Sequence, residues 1–122
     1  MSKFLMAVLQ IDSQADKKAN LDKVGRFIDE AASHGARFVA MAENVHYCGP
    51  VRPKGWRLRQ RRTDSRADER IFRRQGQAAR IWLHCGSIGE VVPGENKLYN
   101  RRCFTILGGS WPLATKRSTC TT

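Results

Sequence analysis

Apolar residues are patterned over only part of this chain of 122 residues. The runs FLMAVLQI (4–11) and ARFVAMAE (36–43) are apolar enough for strands that are buried on both faces. Between them, apolar residues recur every three or four positions, which predicts an amphipathic helix near 17–34; they are Leu21, Val24, Phe27, Ile28, Ala31 and Ala32. Strand, helix and strand with a short return form a βαβ unit, which predicts parallel pairing.

Both ends of that helix carry suitable residues. Asp12, Ser13 and Asp16 are candidate N-caps, because their side-chain oxygens can accept a hydrogen bond from a free backbone amide. Gly35 suits the position after the C-cap, where the backbone often turns left-handed. A third apolar run, IWLHCGSIGEV (81–91), predicts another strand near 82–88 that runs into a loop.

Two segments lack this pattern. Residues 51–80 include GWRLRQRRTDSRADERIFRRQGQAAR, which shows no sustained helical or alternating period, and residues 101–122 have no coherent period either. The charge follows the same division. Residues 1–50 carry six basic and six acidic residues, whereas 51–80 carry eleven and three, and 101–122 carry four basic residues and no acid. The net charge of +11 therefore belongs to the two segments without a pattern.

The basic charge is an argument for a nucleic-acid-binding protein. Against it, residues 51–80 contain only two aromatic residues, Trp56 and Phe72, and lack the interleaved aromatic platform on which bases stack. Non-specific binding to polyanions is expected from charge alone. Nucleic-acid binding through 51–80 is the alternative interpretation of the chain.

Other sequence features limit the location, partners and cofactors that we expect. No apolar run approaches the ~18 residues of a membrane span, and the start lacks the features of a signal sequence. We therefore expect a cytoplasmic protein with no membrane partner, whose cysteines are free thiols; they are Cys48, Cys85, Cys103 and Cys120. The histidines and cysteines show no metal-ligand spacing, and we expect no cofactor.

Three pieces of the sequence together resemble the carbon–nitrogen hydrolase family, the nitrilase superfamily. The first is AVLQIDSQADKKANLDKVGRFIDEAASHGARFVAMAEN, with the family's opening strand, Asn20 at the head of the first helix, and a strand that delivers a glutamate. The second is IWLHCGSIGEV, similar to the family's glycine-serine strand, and the third is NKLYN, which follows it. These pieces cover roughly residues 4–50 and 81–100.

The resemblance implies an α/β fold, here an incomplete α-β-β-α sandwich of the nitrilase type, with residues 1–122 as a single partial domain. It implies hydrolysis of non-peptide C–N bonds in a small carboxamide or nitrile by a Glu–Lys–Cys triad, through a thioester on the cysteine. Only the glutamate matches, at Glu43, as general base and acid. Tyr47 would contact the substrate. Ala42 replaces the family's usual proline, and the intact family implies a homo-oligomer.

The family's lysine belongs to a Y-x-K-I-H element, and its cysteine follows later; neither occurs here in context. Lys116 lies near the expected place, but its neighbours do not match. The segment GGSWPLATKRSTCTT (108–122) can be back-translated into DNA. With suitable codons, the frame that starts at the last base of each preceding codon encodes GELATCYEKIHLYD, which contains the lysine element. With suitable codons for FRRQGQAAR (72–80), the frame that starts at the second base of each codon encodes FAAKAKQHG, which resembles a family helix.

These strings indicate that 51–80 and 101–122 are translated out of frame, with the frame recovered near Ile81 and lost again near Asn100. We therefore expect an inactive chain, in which residues 52–75 and 101–122 pack poorly. An incomplete sandwich should also leave one sheet face uncovered. The residues expected to be partly exposed are Leu5, Val8, Phe38, Val39 and Leu83. Cys85, in the middle of a strand, is interpreted as a buried small apolar residue.

Overall fold

A computed structural model describes residues 3–48, 65–91, 98–105 and 115–120. Five strands and two helices are assigned in these ranges. In chain order they are β1 (Leu5–Leu9), α1 (Lys17–Ser33), β2 (Ala36–Met41), α2 (Ser65–Ala79), β3 (Trp82–Val91), β4 (Leu98–Thr105) and β5 (Thr115–Cys120). The three predicted strands and the helix between the first two are confirmed, with ends shifted by a few residues.

The predicted βαβ unit is confirmed in its pairing and in its caps. β1 and β2 are parallel, with Ala7 opposite Val39. α1 begins at Asp16, whose Oδ1 accepts a hydrogen bond from the backbone N–H of Ala19 at 3.0 Å. The helix ends at a C-cap, His34, and the next residue, Gly35, has φ of 87°, a backbone angle that favours glycine.

The strands form one sheet in the order β1-β2-β3-β4-β5. β1, β2 and β3 are parallel, and β4 and β5 are antiparallel to their neighbours. Both helices pack on one face, where α1 and α2 contribute to a single core with β2, β3 and β4. The α/β class is therefore confirmed, and the described residues supply one helical layer and one sheet layer of the expected sandwich.

Alternation along the strands separates this core from the opposite surface. Val39, Leu83 and Cys103 point to the helices and are fully buried with Val24, Ile28 and Phe72. The expectation that Val39 and Leu83 would be exposed is therefore wrong, because the helices alone cover these two side chains.

The opposite surface, here called the outer face, consists of two rows across the strands. The first is Met6, Phe38 and Trp82, and the second is Val8, Ala40, His84 and Phe104. The Phe104 ring centroid lies 5.8 Å from that of Phe38 and 5.1 Å from that of His84. Val8 is 72% exposed, and Leu5, on the same edge strand, is 51% exposed. The expected exposure of Leu5, Val8 and, in part, Phe38 is confirmed.

α2 corrects the interpretation of residues 51–80. Residues 52–75 are expected to pack poorly, yet a helix occupies Ser65–Ala79 and buries Phe72 completely. The inward face is not an apolar stripe, since Asp68, Glu69 and Gly76 are its other buried residues and Ile71 is exposed. Sequence periodicity missed the helix because acidic residues occupy inward positions. Residues 51–64 lie outside the described part.

β4 and β5 correct the interpretation of residues 101–122. β4 continues past Asn100 to Thr105 and pairs with β3 along its length. Cys103 and Thr105 are buried, so this stretch packs well, contrary to expectation. β5 pairs with β4, with position 117 opposite position 100. Residues 106–114 and 121–122 lie outside the described part.

Candidate active site

Glu43 lies just beyond the carboxyl end of β2 and is exposed to solvent. Its backbone forms an isolated parallel bridge with Ser87 of β3. The next residue, Asn44, has φ of 54° and donates its backbone N–H to the Ser87 carbonyl at 3.3 Å. Open α/β sheets bind ligands outside the carboxyl ends of parallel strands, and Glu43 occupies such a position.

Gly86 makes this bridge possible. Its φ is 67°, and a Cβ atom at this position would lie 1.9 Å from the carbonyl oxygen of Ala42. No larger residue allows β3 to approach β2 so closely without moving the backbone. The glycine of the GS pair in β3 therefore fixes the point at which the chain leaves β2 toward Glu43.

The segment after β2, here called the exit loop (42–48), is tied to the β1–α1 loop (10–16). The Ser13 hydroxyl donates to the Val45 carbonyl at 3.1 Å. The backbone N–H of Cys48 donates to the Gln14 carbonyl, also at 3.1 Å. Both loops leave the carboxyl ends of adjacent parallel strands, so their contact forms part of the surface beside Glu43.

Asn20 lies between these two loops and is only 1% exposed. Its Oδ1 accepts the backbone N–H of Gln14 at 2.9 Å. Its Nδ2 donates to the Gln14 carbonyl at 2.7 Å and to the His46 carbonyl at 3.1 Å. One buried amide thus satisfies backbone groups in both loops.

His46 and Tyr47 are buried side chains of the exit loop. Neither ring nitrogen of His46 has a hydrogen-bond partner within the described ranges. Burial lowers the pKa of His46 below its usual 6.5, the Asp68 carboxylate opposes this shift, and the Lys17 ammonium adds to it. Lys17 and Asp68 form an ion pair with an Nζ–Oδ1 distance of 2.7 Å. A neutral imidazole is therefore favoured at position 46.

Two of the three described cysteines are buried, and the third is exposed in the exit loop. Cys85 is fully buried in β3, and burial raises the pKa of its thiol well above the usual value, which disfavours the reactive thiolate. Its interpretation as a buried small residue is confirmed. The Cys103 thiol donates to Glu69 at 3.3 Å, and Cys48 is exposed. None of these three is in a disulfide; the side chain of Cys120 lies outside the described part.

The structure places the two predicted site residues in one short segment but in different environments. Glu43 is exposed, whereas Tyr47 is buried and donates its backbone N–H to the Asn44 carbonyl at 3.1 Å. Their roles in catalysis and substrate binding stay predictions. Lys116 lies in β5, and its side chain is outside the described part. Sequence reasoning noted Asn20 only as part of a resemblance, although a polar residue on the apolar stripe of α1 is itself a signal.

An exposed carboxylate on a fixed strand exit can accept and return a proton, which is the chemistry of a general base. Within the described ranges, no three side chains of the metal-ligating types come together. No helix there is long and apolar enough to cross a membrane.

No protein-family model matches the sequence, and no curated protein matches it. Solved structures do match. The C. elegans NitFhit protein superposes with a TM-score of 0.80 at 18% identity, over 95% of this chain and 28% of that chain. Saccharomyces cerevisiae Nit3, a member of branch 10 of the nitrilase superfamily, superposes with a TM-score of 0.70 at 21% identity, over 88% of this chain and 41% of that chain.

A third match is an amidase from Nesterenkonia sp. AN1 in complex with acrylamide, solved as a double mutant with glutamate changed to glutamine and cysteine to alanine. Its TM-score is 0.73 at 14% identity, over 96% of this chain and 44% of that chain. This protein therefore spans less than half the length of the structures it matches. At these identities the likeness is one of architecture, and it confirms the resemblance in the sequence: the chain has the fold of the nitrilase superfamily over part of that fold's length.

Proposed function

We propose that this chain derives from a carbon–nitrogen hydrolase acting on a small carboxamide or nitrile, and that Glu43 is its general base. The observation that carries the proposal is the position of Glu43, on a strand exit fixed by the bridge to Ser87, in a fold shared with an amidase. That amidase was solved with acrylamide, a small carboxamide, after a glutamate and a cysteine had been replaced. A glutamate and a cysteine are the residue types that the family resemblance implies for the reaction, and Glu43 is the glutamate that matches here.

The family resemblance implies the role of the carboxylate. Glu43 would take the proton of a cysteine thiol, whose sulfur then forms a bond to the amide or nitrile carbon. In the amide case, the C–N bond breaks and the same carboxyl group returns the proton to the departing amine. Water then cleaves the thioester, again with the carboxylate as base. A lysine ammonium would stabilise the oxyanion.

As written, the chain lacks two of these three groups, and we expect no turnover. No Y-x-K-I-H element occurs in the sequence, and Cys85 is fully buried in the core. Loss of one oxyanion donor alone typically lowers a rate roughly 10²–10³-fold, and loss of the nucleophile removes several further orders of magnitude.

The end of α2 supports the proposal that its sequence is out of frame. Arg80 has φ of 55°, and the bonds from the N–H groups of Arg80 and Ile81 to the carbonyls of Gln77 and Gly76 form a Schellman motif. Glycine is the residue that this position favours, and α1 has Gly35 there. The shifted string FAAKAKQHG, laid over 72–80, also puts a glycine at position 80. That glycine requires an Arg80 codon that ends in G, and the left-handed backbone angle at position 80 favours this choice.

The second disruption is better placed after Thr105 than near Asn100. Inward and outward positions still alternate through β4, with Cys103 and Thr105 buried and Arg102 exposed. An out-of-frame strand has no reason to keep such a pattern in register with β3. We therefore propose a frame change within 106–108, directly before the string that restores the lysine element.

Sequencing the coding DNA tests the frame directly. We expect a cluster of insertions or deletions in codons 50–81, which shifts the frame and then restores it, and another insertion or deletion near codons 106–108. A version with both frames restored, extended through the cysteine, should hydrolyse small carboxamides or nitriles. Glu43→Gln in that version should abolish turnover while leaving the circular dichroism spectrum unchanged, because the amide keeps the shape of the side chain but cannot act as a base. Full activity with glutamine at position 43 would refute the assignment of Glu43.

Three further properties belong to the same proposal. A homo-oligomer is proposed from the lineage, and a cytoplasmic location is proposed because the described cysteines are free thiols. Non-specific polyanion binding, weakened by salt, is proposed from the charge, since Arg70 and Arg74 of α2 and Arg80 just after it are exposed. Binding with a sequence preference would instead favour the nucleic-acid interpretation of residues 51–80.

A further inference from the structure

The β1–α1 loop and the exit loop meet over a single buried side chain. Asn20 makes three hydrogen bonds at 2.7–3.1 Å, two to Gln14 and one to His46, and all three partners are backbone groups. Ser13 and Cys48 add one bond each between the same loops. The exit loop is thus fixed at 45, 46 and 48 on one side, and at 43 and 44 by Ser87 on the other.

An asparagine is well suited to this place. Its side chain offers one acceptor and two donor hydrogens on one rigid plane, and here both ends of the amide are used. Aspartate keeps the acceptor for the Gln14 N–H but loses both donors. Alanine loses all three bonds and leaves the His46 carbonyl without its donor in the one bond that is fully buried. Asn20 also lies on α1, a helix packed into the core, so its hydrogen bonds hold both loops against a rigid element.

We infer that Asn20 is a positioning residue for Glu43: it fixes the exit loop against the β1–α1 loop and so sets the direction in which the Glu43 carboxylate leaves the sheet. Asn20 acts through the backbone at His46 and Gln14 and does not itself react. The catalytic part of this inference rests on the proposed role of Glu43. The link between Asn20 and the exit loop can be measured separately.

Hydrogen–deuterium exchange on the chain as it exists, followed by mass spectrometry, measures that link. In Asn20→Ala, peptides covering 42–48 should exchange at least tenfold faster, while peptides from β2 and β3 stay near the wild-type rate. Asp16→Ala is the matched control, because it removes the N-cap of the same helix, loosens the start of α1, and leaves both loops' contacts to Asn20 in place. Equal exchange of 42–48 in the two variants, or no change in either, would overturn the inference.

Asn20→Asp supplies a second variant, in case the alanine variant fails to fold. At pH 7 it should also release 42–48, since a carboxylate cannot donate to the His46 carbonyl. On acidification, protonation restores one donor, and exchange of 42–48 corrected for the intrinsic pH effect should slow toward the wild-type rate. A merely destabilised protein would exchange faster in acid. Exchange that rises in acid would therefore contradict a specific role for the donor.

The frame-restored enzyme gives the catalytic readout. There, Asn20→Asp should lower kcat at least tenfold with little change in KM, because substrate contacts remain while the base is displaced. An unchanged kcat, together with released exchange of 42–48, would show that Asn20 holds the loop but not the base. Activity that survives Glu43→Gln would instead refute the proposed function, so the two failures are distinguishable.

Discussion

α1 and α2 occupy equivalent places in the fold, but their sequences fit those places differently. Each precedes a strand, packs on the same sheet face and is followed by a left-handed residue. α1 buries an apolar stripe and one asparagine whose oxygen and nitrogen are both hydrogen-bonded. α2 buries Phe72 beside two acids, and Asp68 Oδ2 and Gln75 Oε1 have no hydrogen-bond partner within the described ranges.

The difference shows how far the agreement between sequence and structure varies between two helices of one fold. In α1 the N-cap, the apolar period and the glycine after the C-cap all agree with the structure. Agreement between local sequence signals and the tertiary structure is typical of natural sequences. In α2 a single aromatic residue anchors the helix, and the end residue is an arginine at an angle suited to glycine. A helix in the right place is therefore not by itself evidence that its sequence was selected for that place.

The largest expected effect tests whether α2 is packed at all. Phe72→Ala should lower the free energy of unfolding by about 3–5 kcal/mol, and Ile28→Ala in α1 by about 2–5 kcal/mol, because both side chains are fully buried. Urea titration gives both values. Ile71→Ala, a neighbour that is exposed, should cost well under ~1 kcal/mol. A loss below ~1 kcal/mol for Phe72→Ala would mean that α2 packs as poorly as the sequence suggested.

A smaller effect tests how the buried acid of α2 is tolerated. Lys17→Met leaves Asp68 buried with no ion-pair partner and should cost about 2 kcal/mol, less than for a fully buried pair because the lysine is partly exposed. Lys18→Met is the matched control, since the Lys18–Asp22 pair lies exposed on the surface of the same helix and its loss should change the free energy of unfolding far less. Equal losses would show that α1 gives α2 no specific electrostatic support.

The smallest effect compares the two helix ends. Arg80→Gly should raise the free energy of unfolding by about 1 kcal/mol, since it relieves a left-handed non-glycine residue. Gly35→Ala should lower it by about 1 kcal/mol through the backbone angle alone, because a Cβ there meets nothing within 4 Å. Thermal unfolding detects both shifts. If Arg80→Gly destabilises the chain, the structural support for a shifted frame before Ile81 is lost.

The βαβ unit could be predicted from the sequence because each of its signals is local. The stripe of α1 and the cap at Asp16 need no knowledge of distant residues. α2 could not be predicted in the same way, since its inward face contains Asp68 and Glu69. Only packing against the rest of the fold identifies that face as buried. β4 was underestimated for a related reason: Cys103 and Thr105 are small, and their alternation carries a weak apolar signal.

At the site, a family resemblance predicted Glu43 at the carboxyl end of the second strand, and the structure places it just beyond β2. The contacts that hold this exit could not be predicted. Asn20 bonds to a carbonyl 26 residues away, and Gly86 matters because of its distance to the backbone of Ala42. Both depend on how β1, β2 and β3 are arranged in space, which no local pattern specifies.

Chaperones and proteases recognise apolar strand surfaces, and the outer face presents one whenever nothing covers it. Val8 and Met6 lie on an edge strand without a charged residue, and Trp82 lies in the same row as Met6, two strands further into the sheet. Strand edges of this kind also template contacts between copies of a chain. For a cell that makes this polypeptide alone, the foreseeable outcome is rapid turnover: the fate of the protein would be decided by quality control at the outer face before any chemistry at Glu43 could matter.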